Sequence, residues 1–205
     1  MRILNAPQGS DEWLRDRMGV ITASNFSRVF TTAGKKSTSQ QGLVNELIAE
    51  NLMDAPTETY KSKDMQRGND LEPEARACAE LLLNVDIEEV GLVKLDDHEI
   101  GCSPDGIWDN TALAIEIKCP KPGTHVSYMR RDKVPTTYVQ QIQGQMLVLE
   151  LSYMWFLSYC PGLPPVLLKV ERDDKLLNAA LPILIDTADE VKSETERLRK
   201  KYESR

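Results

Sequence analysis

The sequence predicts an α/β fold: a single domain with a central mixed β-sheet flanked by helices. Two observations predict it. Segments with helical spacing lie toward both ends of the chain, and short apolar runs between turn signals fill its middle. The 205 residues, 41% of them hydrophobic, suffice for one well-buried domain and are few for two. We therefore interpret 1–205 as one domain, with its core at about 65–160 and a C-terminal helical region at about 174–205.

Three helices are predicted in the N-terminal part. Ser10 is suited to cap the first of them, since Asp11 and Glu12 follow it and favour a first helical turn. A polar stretch at 31–41 predicts a loop before the third helix. The predicted helices are Ser10–Arg17, Thr22–Phe30 and Gly42–Met53.

Three further helices are predicted downstream. Pro73 is tolerated near a first turn, where a missing N–H costs little, so this helix is predicted to begin near Asp70. The C-terminal helix is long and is predicted to break near Pro182. The predicted ranges are Asp70–Leu83, Thr137–Glu150 and Asp174–Tyr202.

Strands are predicted where short apolar runs are bounded by turn residues. The turn Pro161–Pro165 is predicted to join the last two of them. The sheet segments are Val85–Val90, Gly91–Leu95, a hairpin at Ile100–Cys119, Ser152–Cys160 and Val166–Glu171.

The predicted hairpin carries the most informative charges of the chain. Asp105 follows Pro104 in a turn, and a polar break at Asp109–Thr111 supplies the reversal. Glu116 and Lys118 then point to one face of the second strand. Such a Glu-x-Lys is ordinarily a solvated face, but this strand is mostly apolar, and buried charges are normally paired or metal-bound. Two carboxylates and one ammonium at a sheet edge can hold a divalent cation and face its bound water.

Composition limits the other possibilities. The net charge of −7 argues against broad nonspecific DNA binding, and the acidic excess lies in 41–117, which carries 18 acidic and five basic residues. The four cysteines form no CxxC pair, so neither a zinc site nor a disulfide framework is expected. No apolar run approaches the roughly 20 residues needed to span a bilayer, and the first residues lack the apolar core of a signal peptide. A cytoplasmic protein is therefore expected.

Five sequence blocks follow one another along the chain: LRDRMGVITAS at Leu14–Ser24, RGNDLEPEAR at Arg67–Arg76, CSPDG, EIKCP, and YVQQIQGQM at Tyr138–Met146. In this order they resemble the phage lambda exonuclease family, or YqaJ-type viral recombinases, within the PD-(D/E)xK nuclease superfamily. The resemblance extends over most of the chain, from about Gln8 to Glu171.

The resemblance implies a restriction-endonuclease-like core and a Mg²⁺-dependent exonuclease, with one or two ions per site and Mn²⁺ able to substitute. The implied substrate is linear double-stranded DNA with a 5′-phosphate. One strand would be degraded from 5′ to 3′ into 5′-mononucleotides, leaving 3′ single strands for annealing-type recombination. A ring-shaped homotrimer, a single-strand annealing protein as partner, and a phage or prophage origin in a bacterial host are implied as well.

Catalytic roles are carried over to the matching positions. Asp105, Glu116 and Lys118 occupy the three motif positions, with the main-chain carbonyl of Ile117 as a further metal ligand. Glu72 matches a helix glutamate that faces the metal; a first-turn glutamate that complements the helix dipole is the alternative.

The family's binding site for the terminal 5′-phosphate is matched by Arg17, Ser24, Ser103 and Gln141. A guanidinium fork with hydroxyl and amide donors suits a dianionic phosphate. For Arg17 the alternative is a surface ion pair with Asp11 or Asp16.

Four basic residues follow the catalytic strand and are candidates for contacts with the DNA backbone; a solvated basic loop is the alternative. They are Lys121, Arg130, Arg131 and Lys133. Trp13 is interpreted as a packing residue.

Two other functions stay open from the sequence. A structure- or sequence-specific DNA endonuclease of the same superfamily would use the same three charges but would not need the phosphate pocket around Arg17. A non-catalytic DNA-binding protein would need neither the three charges nor the phosphate pocket.

Overall fold

The computed structural model describes residues 1–57, 63–109 and 112–202. Within them seven α-helices surround two sheets of four strands each. The helices are α1 (Asp11–Asp16), α2 (Phe26–Val29), α3 (Gln40–Met53), α4 (Lys63–Leu83), α5 (Pro122–Met129), α6 (Val139–Val148) and α7 (Asp174–Tyr202). The strands are β1 (Arg2–Leu4), β2 (Ile21–Thr22), β3 (Leu92–Lys94), β4 (Ile100–Cys102), β5 (Gly106–Trp108), β6 (Leu113–Lys118), β7 (Tyr153–Ser158) and β8 (Val166–Glu171).

The predicted α/β fold with mixed strand directions is confirmed, and its strands are shared between two sheets. The first has the order β1-β3-β4-β2, with β2 parallel to β4 and the other pairs antiparallel. The second has the order β5-β6-β7-β8, with β6 parallel to β7 and the other pairs antiparallel. The predicted hairpin therefore supplies strands to both sheets. The chain leaves the first sheet after β4 at Ser103 and Pro104, where proline has no N–H to donate to a ladder.

The second sheet is covered on both faces. Ile115 and Ile117 of β6 pack with Ala75 and Ala79 of α4 in one apolar cluster. On the opposite face, α6 packs over β6 and β7, and Ile142 lies in the larger cluster with residues of both strands. Because both faces are covered, the alternating charges of β6 lie inside the protein and not on a solvated face.

The helix α4 begins earlier than predicted. It starts at Lys63, not near Asp70, so Pro73 lies inside the helix and Glu72 lies beyond its first turn. Residues 63–66 are exposed, and an exposed turn produces no apolar periodicity to reveal it. The first-turn dipole explanation of Glu72 is therefore wrong.

The helix α7 also differs from its prediction, since it continues through Pro182 without a break. Buried residues on both sides of the proline, among them Leu176 and Leu184, pack into the larger cluster. Tertiary packing of this face outweighs the one helical hydrogen bond that proline removes. The end of the predicted C-terminal helical region, 203–205, lies outside the described residues.

Most of the other predicted elements lie close to their predicted positions, but β1, β2 and α5 were not predicted, and the strand predicted at Val85–Val90 is wrong. Ser10 caps α1 as expected, with its side chain accepting a 3.2 Å hydrogen bond from the N–H of Trp13. Between Val85 and Val90 the chain makes only an isolated bridge, from Glu88 to Ile107, among the residues described. Two residues of the predicted turn at Asp109–Thr111, numbers 110 and 111, lie outside the described part of the chain.

A glycine lets α6 approach the N-terminal segment of the chain. A Cβ atom added at Gly144 would lie 2.2 Å from the ring of Phe26, far inside van der Waals contact. Phe26 is fully buried at the start of α2, directly after the turn that carries Ser24. This contact fixes the distance between α6 and that turn.

We predict that Gly144→Ala lowers the free energy of unfolding by about 2 kcal/mol, because overpacking of the Phe26 ring outweighs the gain in helix propensity. Urea unfolding followed by circular dichroism measures this change. The control is Gly123→Ala in α5, where an added Cβ meets nothing within 4 Å. Equal stability of the two variants would contradict the close contact.

Candidate active site

Asp105 lies in the short link between β4 and β5, beside the edge of β6. Its Oδ2 accepts a 2.6 Å hydrogen bond from the main-chain N–H of Ile117. Its main-chain carbonyl accepts a 3.2 Å hydrogen bond from Nε of Arg76 on α4. The carboxylate is thus held at the sheet edge by β6 and its backbone is held by α4.

Glu116 is fully buried and its carboxylate is surrounded by donors. Lys118 and Gln141 both donate to Oε1, and Nε2 of Gln145 donates to Oε2 at 2.6 Å. Gln141 and Gln145 are one helical turn apart on α6, which packs over this face of β6. A buried carboxylate is tolerated only with such compensation.

Lys118 completes the group of three predicted charges. Its side chain is 26% exposed, and its Nζ lies 5.4 Å from the centroid of the Tyr138 ring. Burial alone would lower the pKa of Lys118, but the carboxylates of Glu116 and Asp105 raise it above its ordinary value. Burial, and next the Glu116 carboxylate, raise the pKa of Asp105 well above its ordinary range. The structure brings the side chains of Asp105, Glu116 and Lys118 together.

The donor set fits a divalent cation at Asp105 and Glu116. The Glu116 carboxylate disfavours the ionisation of Asp105, so a bound cation would stabilise the charged form of Asp105. The carbonyl of Ile117 leaves the strand on the same edge as its N–H, beside Asp105, and is a further hard oxygen donor. No three acidic, histidine or cysteine side chains in the described ranges form a metal cage alone, so water or substrate oxygens would complete the shell.

Glu72 lies near this group but has partners of its own. It accepts a 2.8 Å hydrogen bond from Arg76, which also binds Glu89. Burial raises the pKa of Glu72, and Arg76 opposes this effect. The structure therefore places Glu72 at the wall of the site, paired with an arginine, while Asp105 and Glu116 lie deeper.

An open cleft of about 530 Å³ leads to these charges. Arg67 on α4 closes one side, where it donates to the carbonyls of Cys119 at 2.8 Å and Pro120 at 3.1 Å. The cleft is lined by residues of α4, of β6, of the start of α5, of the link from β4 to β5 and of the turn before α6, including Glu72, Asp105, Ile117, Lys118, Lys121 and Tyr138.

Three of the four predicted phosphate-binding residues lie together in a polar cluster around Arg17, which we call the Arg17 pocket. Its Nη2 donates to Thr22 at 3.1 Å and to Ser24 at 3.3 Å, and its guanidinium lies 4.2 Å from the centroid of the Trp13 ring. The indole N–H of Trp13 donates to Ser103 at 3.2 Å. The structure thus brings together Arg17, Ser24 and Ser103.

The guanidinium of Arg17 has no ion-pair partner within 4 Å in the described parts of the chain, so the alternative pairing with Asp11 or Asp16 is not observed. Burial lowers the pKa of Arg17 to about 10. Glu50 acts on this guanidinium only from beyond ion-pair distance, and a half-buried cation of this kind can bind an external anion.

Gln141 and the four basic residues lie elsewhere. The side chain of Gln141 donates to Glu116, so it lies with the carboxylates and not in the Arg17 pocket. Lys121, at the cleft, pairs with Asp64 at 2.8 Å. The other three, Arg130, Arg131 and Lys133, are exposed at and after the end of α5.

Four residues at the site were not identified as site residues from the sequence. Arg76 follows Glu72 by four residues, and Gln145 follows Gln141 by four, so helical spacing alone places each beside a candidate. Trp13 precedes Arg17 by four residues on the predicted helix Ser10–Arg17, so the same spacing places it beside that arginine. For Thr22 no such signal exists, since only the folded chain brings it to Arg17.

Comparison with known proteins agrees with this geometry. The YqaJ-like viral recombinase domain family matches residues 12–152. An alkaline exonuclease, LHK-Exo from Laribacter hongkongensis, is 32% identical, with a TM-score of 0.84 over 95% of this chain and 99% of that chain. Its complex with dAMP matches with a TM-score of 0.83, also at 32% identity and with the same coverage.

A phage related exonuclease from Haemophilus somnus 129PT shares the fold, with a TM-score of 0.68, 14% identity, and coverage of 87% of this chain and 96% of that one. No curated protein matches the chain. No helix in the described ranges is long and apolar enough to cross a bilayer. The match over residues 12–152 and the similarity to an alkaline exonuclease support a nuclease, and the chain belongs to the YqaJ-like viral recombinase family.

Proposed function

We propose that the chain is a Mg²⁺-dependent exonuclease that degrades one strand of linear double-stranded DNA from a 5′-phosphorylated end. The strand is shortened from 5′ to 3′, with release of 5′-mononucleotides and exposure of a 3′ single strand. LHK-Exo, the alkaline exonuclease to which the chain is similar, has been solved in complex with dAMP, a deoxynucleoside monophosphate. That complex supports mononucleotides as the product class.

The observation that carries this proposal is the position of an anion pocket beside the acidic cleft. Ser103, held by Trp13 in the Arg17 pocket, is two residues before Asp105 on the same link. A terminal phosphate bound at Arg17 would therefore place the adjoining phosphodiester near Asp105 and Lys118. An endonuclease has no need for a pocket that recognises a chain end.

The side chains of the cleft fit hydrolysis of a phosphodiester. Asp105, Glu116 and the carbonyl of Ile117 would hold Mg²⁺, or Mn²⁺ in its place, as one or two ions that activate water and stabilise the charge of the transition state. Lys118, kept protonated by the two carboxylates, orients the attacking water and opposes charge developing on the phosphate oxygens. Glu72, at the wall of the cleft, is proposed to act on the same site, directly or through water.

Three larger features are proposed with the activity. Lys121, Arg130, Arg131 and Lys133 contact the duplex backbone. A ring-shaped homotrimer encloses the DNA, which gives processivity to a chain of net charge −7 without tight electrostatic binding. The exposed strand passes to a single-strand annealing protein during recombination of a phage or prophage in the cytoplasm of its bacterial host. The viral recombinase family of the chain supports this role.

We predict that Lys118→Ala lowers the cleavage rate by about 10³-fold, because the transition-state charge loses its opposing ammonium. Duplex binding and the circular dichroism spectrum are expected to stay as in the unaltered chain. The matched control is Lys169→Ala, since Lys169 is an exposed lysine paired with Glu171 on β8. Near-normal cleavage by the Lys118 variant would refute its role.

We predict that Arg17→Ala abolishes the preference for 5′-phosphorylated over 5′-hydroxyl duplex ends, so that the ratio of the two initial rates falls to about 1. The rates are measured by release of acid-soluble nucleotides from otherwise identical duplexes. Arg28→Ala is the control, because Arg28 forms an exposed ion pair with Glu46. If the Arg17 variant keeps the ratio of the unaltered chain, the pocket does not bind the terminal phosphate.

A further inference from the structure

We propose that Gln145 is a positioning residue that fixes the Glu116 carboxylate for cation binding. The inference rests on the proposed function, because it assigns a role to a residue behind the proposed cation site. Gln145 does not line the cleft, so it acts on the cation only through Glu116.

The contact between the two side chains is short and enclosed. Nε2 of Gln145 donates to Oε2 of Glu116 at 2.6 Å, and Gln145 is 1% exposed. Lys118 and Gln141 both donate to the other oxygen, Oε1. Gln145 is therefore the donor that holds Oε2 and sets the rotation of the carboxylate plane.

The far end of the Gln145 side chain shows what this contact does. Its Oε1 is buried and has no hydrogen-bond partner among the described residues. The opposite amide orientation would bring this oxygen against a carboxylate, where two acceptors repel. An unpaired buried carbonyl costs free energy of folding, so the Oε1 end of the Gln145 amide does not stabilise the fold. The favourable interaction of this amide is its hydrogen bond to Glu116.

Groups that orient a metal ligand without touching the metal commonly affect affinity strongly, with losses of about 10- to 100-fold when they are removed. Methionine at position 145 would have a similar volume and no N–H donor. Glu116 would keep its partners on Oε1 and lose the one on Oε2. We expect a carboxylate that turns more freely and binds a cation more weakly.

The test is isothermal titration calorimetry of MnCl₂ into the DNA-free full chain. Gln145→Met is expected to raise the dissociation constant by about tenfold or more. Gln145→Asn, whose amide is too short to reach Oε2, is expected to do the same and serves if the methionine variant fails to fold. A dissociation constant within about twofold of the unaltered chain in either folded variant would overturn the inference.

Gln143→Met is the matched control, because Gln143 is a buried glutamine on the same helix that binds only backbone, at Glu171 and Asp173. It is expected to lower the melting temperature and leave the Mn²⁺ affinity unchanged. An equal loss of affinity in this control would show a general effect of helix destabilisation and would overturn the role of Gln145. If the unaltered chain binds no Mn²⁺, the proposed cation site itself is wrong. Equal Mn²⁺ affinity in all variants would instead overturn only the role of Gln145.

Discussion

The buried carboxylate of Glu116 is the constraint on which the site depends. A charge with no exposed surface is costly unless several donors surround it. The fold supplies them from two directions: Lys118 from the same strand, and Gln141 and Gln145 from α6. For this reason α6 must lie directly over β6, and the packing of α6 determines where the carboxylate points.

The same helix connects the carboxylates to the anion pocket. The contact of Gly144 with Phe26 holds α6 against the segment that carries Ser24, and the link from β4 to β5 carries both Ser103 and Asp105. The acidic site at Asp105 and Glu116 and the basic site at Arg17 are thus held in place by the same segments of the chain. Arg17 has no ion-pair partner within 4 Å in the described residues, and the two carboxylates of Asp105 and Glu116 share the one ammonium of Lys118. The proposed phosphodiester with its metal ion would complement both sites.

The sequence predicted those parts of the structure that produce local signals. Alternation in β6 predicted the shared face of Glu116 and Lys118, and the cap at Ser10 predicted the start of α1. These two features depend on residue order along a short segment, so a sequence carries them directly. The grouping of Arg17 and Ser24 with the distant Ser103 was predicted only through the family resemblance of the ordered sequence blocks.

Other features depend on packing between distant segments. The exposed start of α4 has no apolar stripe, and the continuity of α7 through Pro182 depends on its neighbours, so the start of α4 and the break in α7 were predicted wrongly. The division of the strands into two sheets arises from pairings that span the chain, such as β1 with β3. Trp13 reaches Ser103 across 90 residues of sequence, and no local pattern reports that contact.

The measurement that tests the account most directly compares linear and closed circular duplex DNA in Mg²⁺, with the linear form labelled at one 3′ end and prepared with or without a 5′-phosphate. The account predicts mononucleotide release from the 5′-ended strand, faster with the phosphate and absent on circles. Cleavage of the circle would contradict it and indicate an endonuclease. An absence of cleavage with any divalent metal would leave a DNA-binding protein without catalysis.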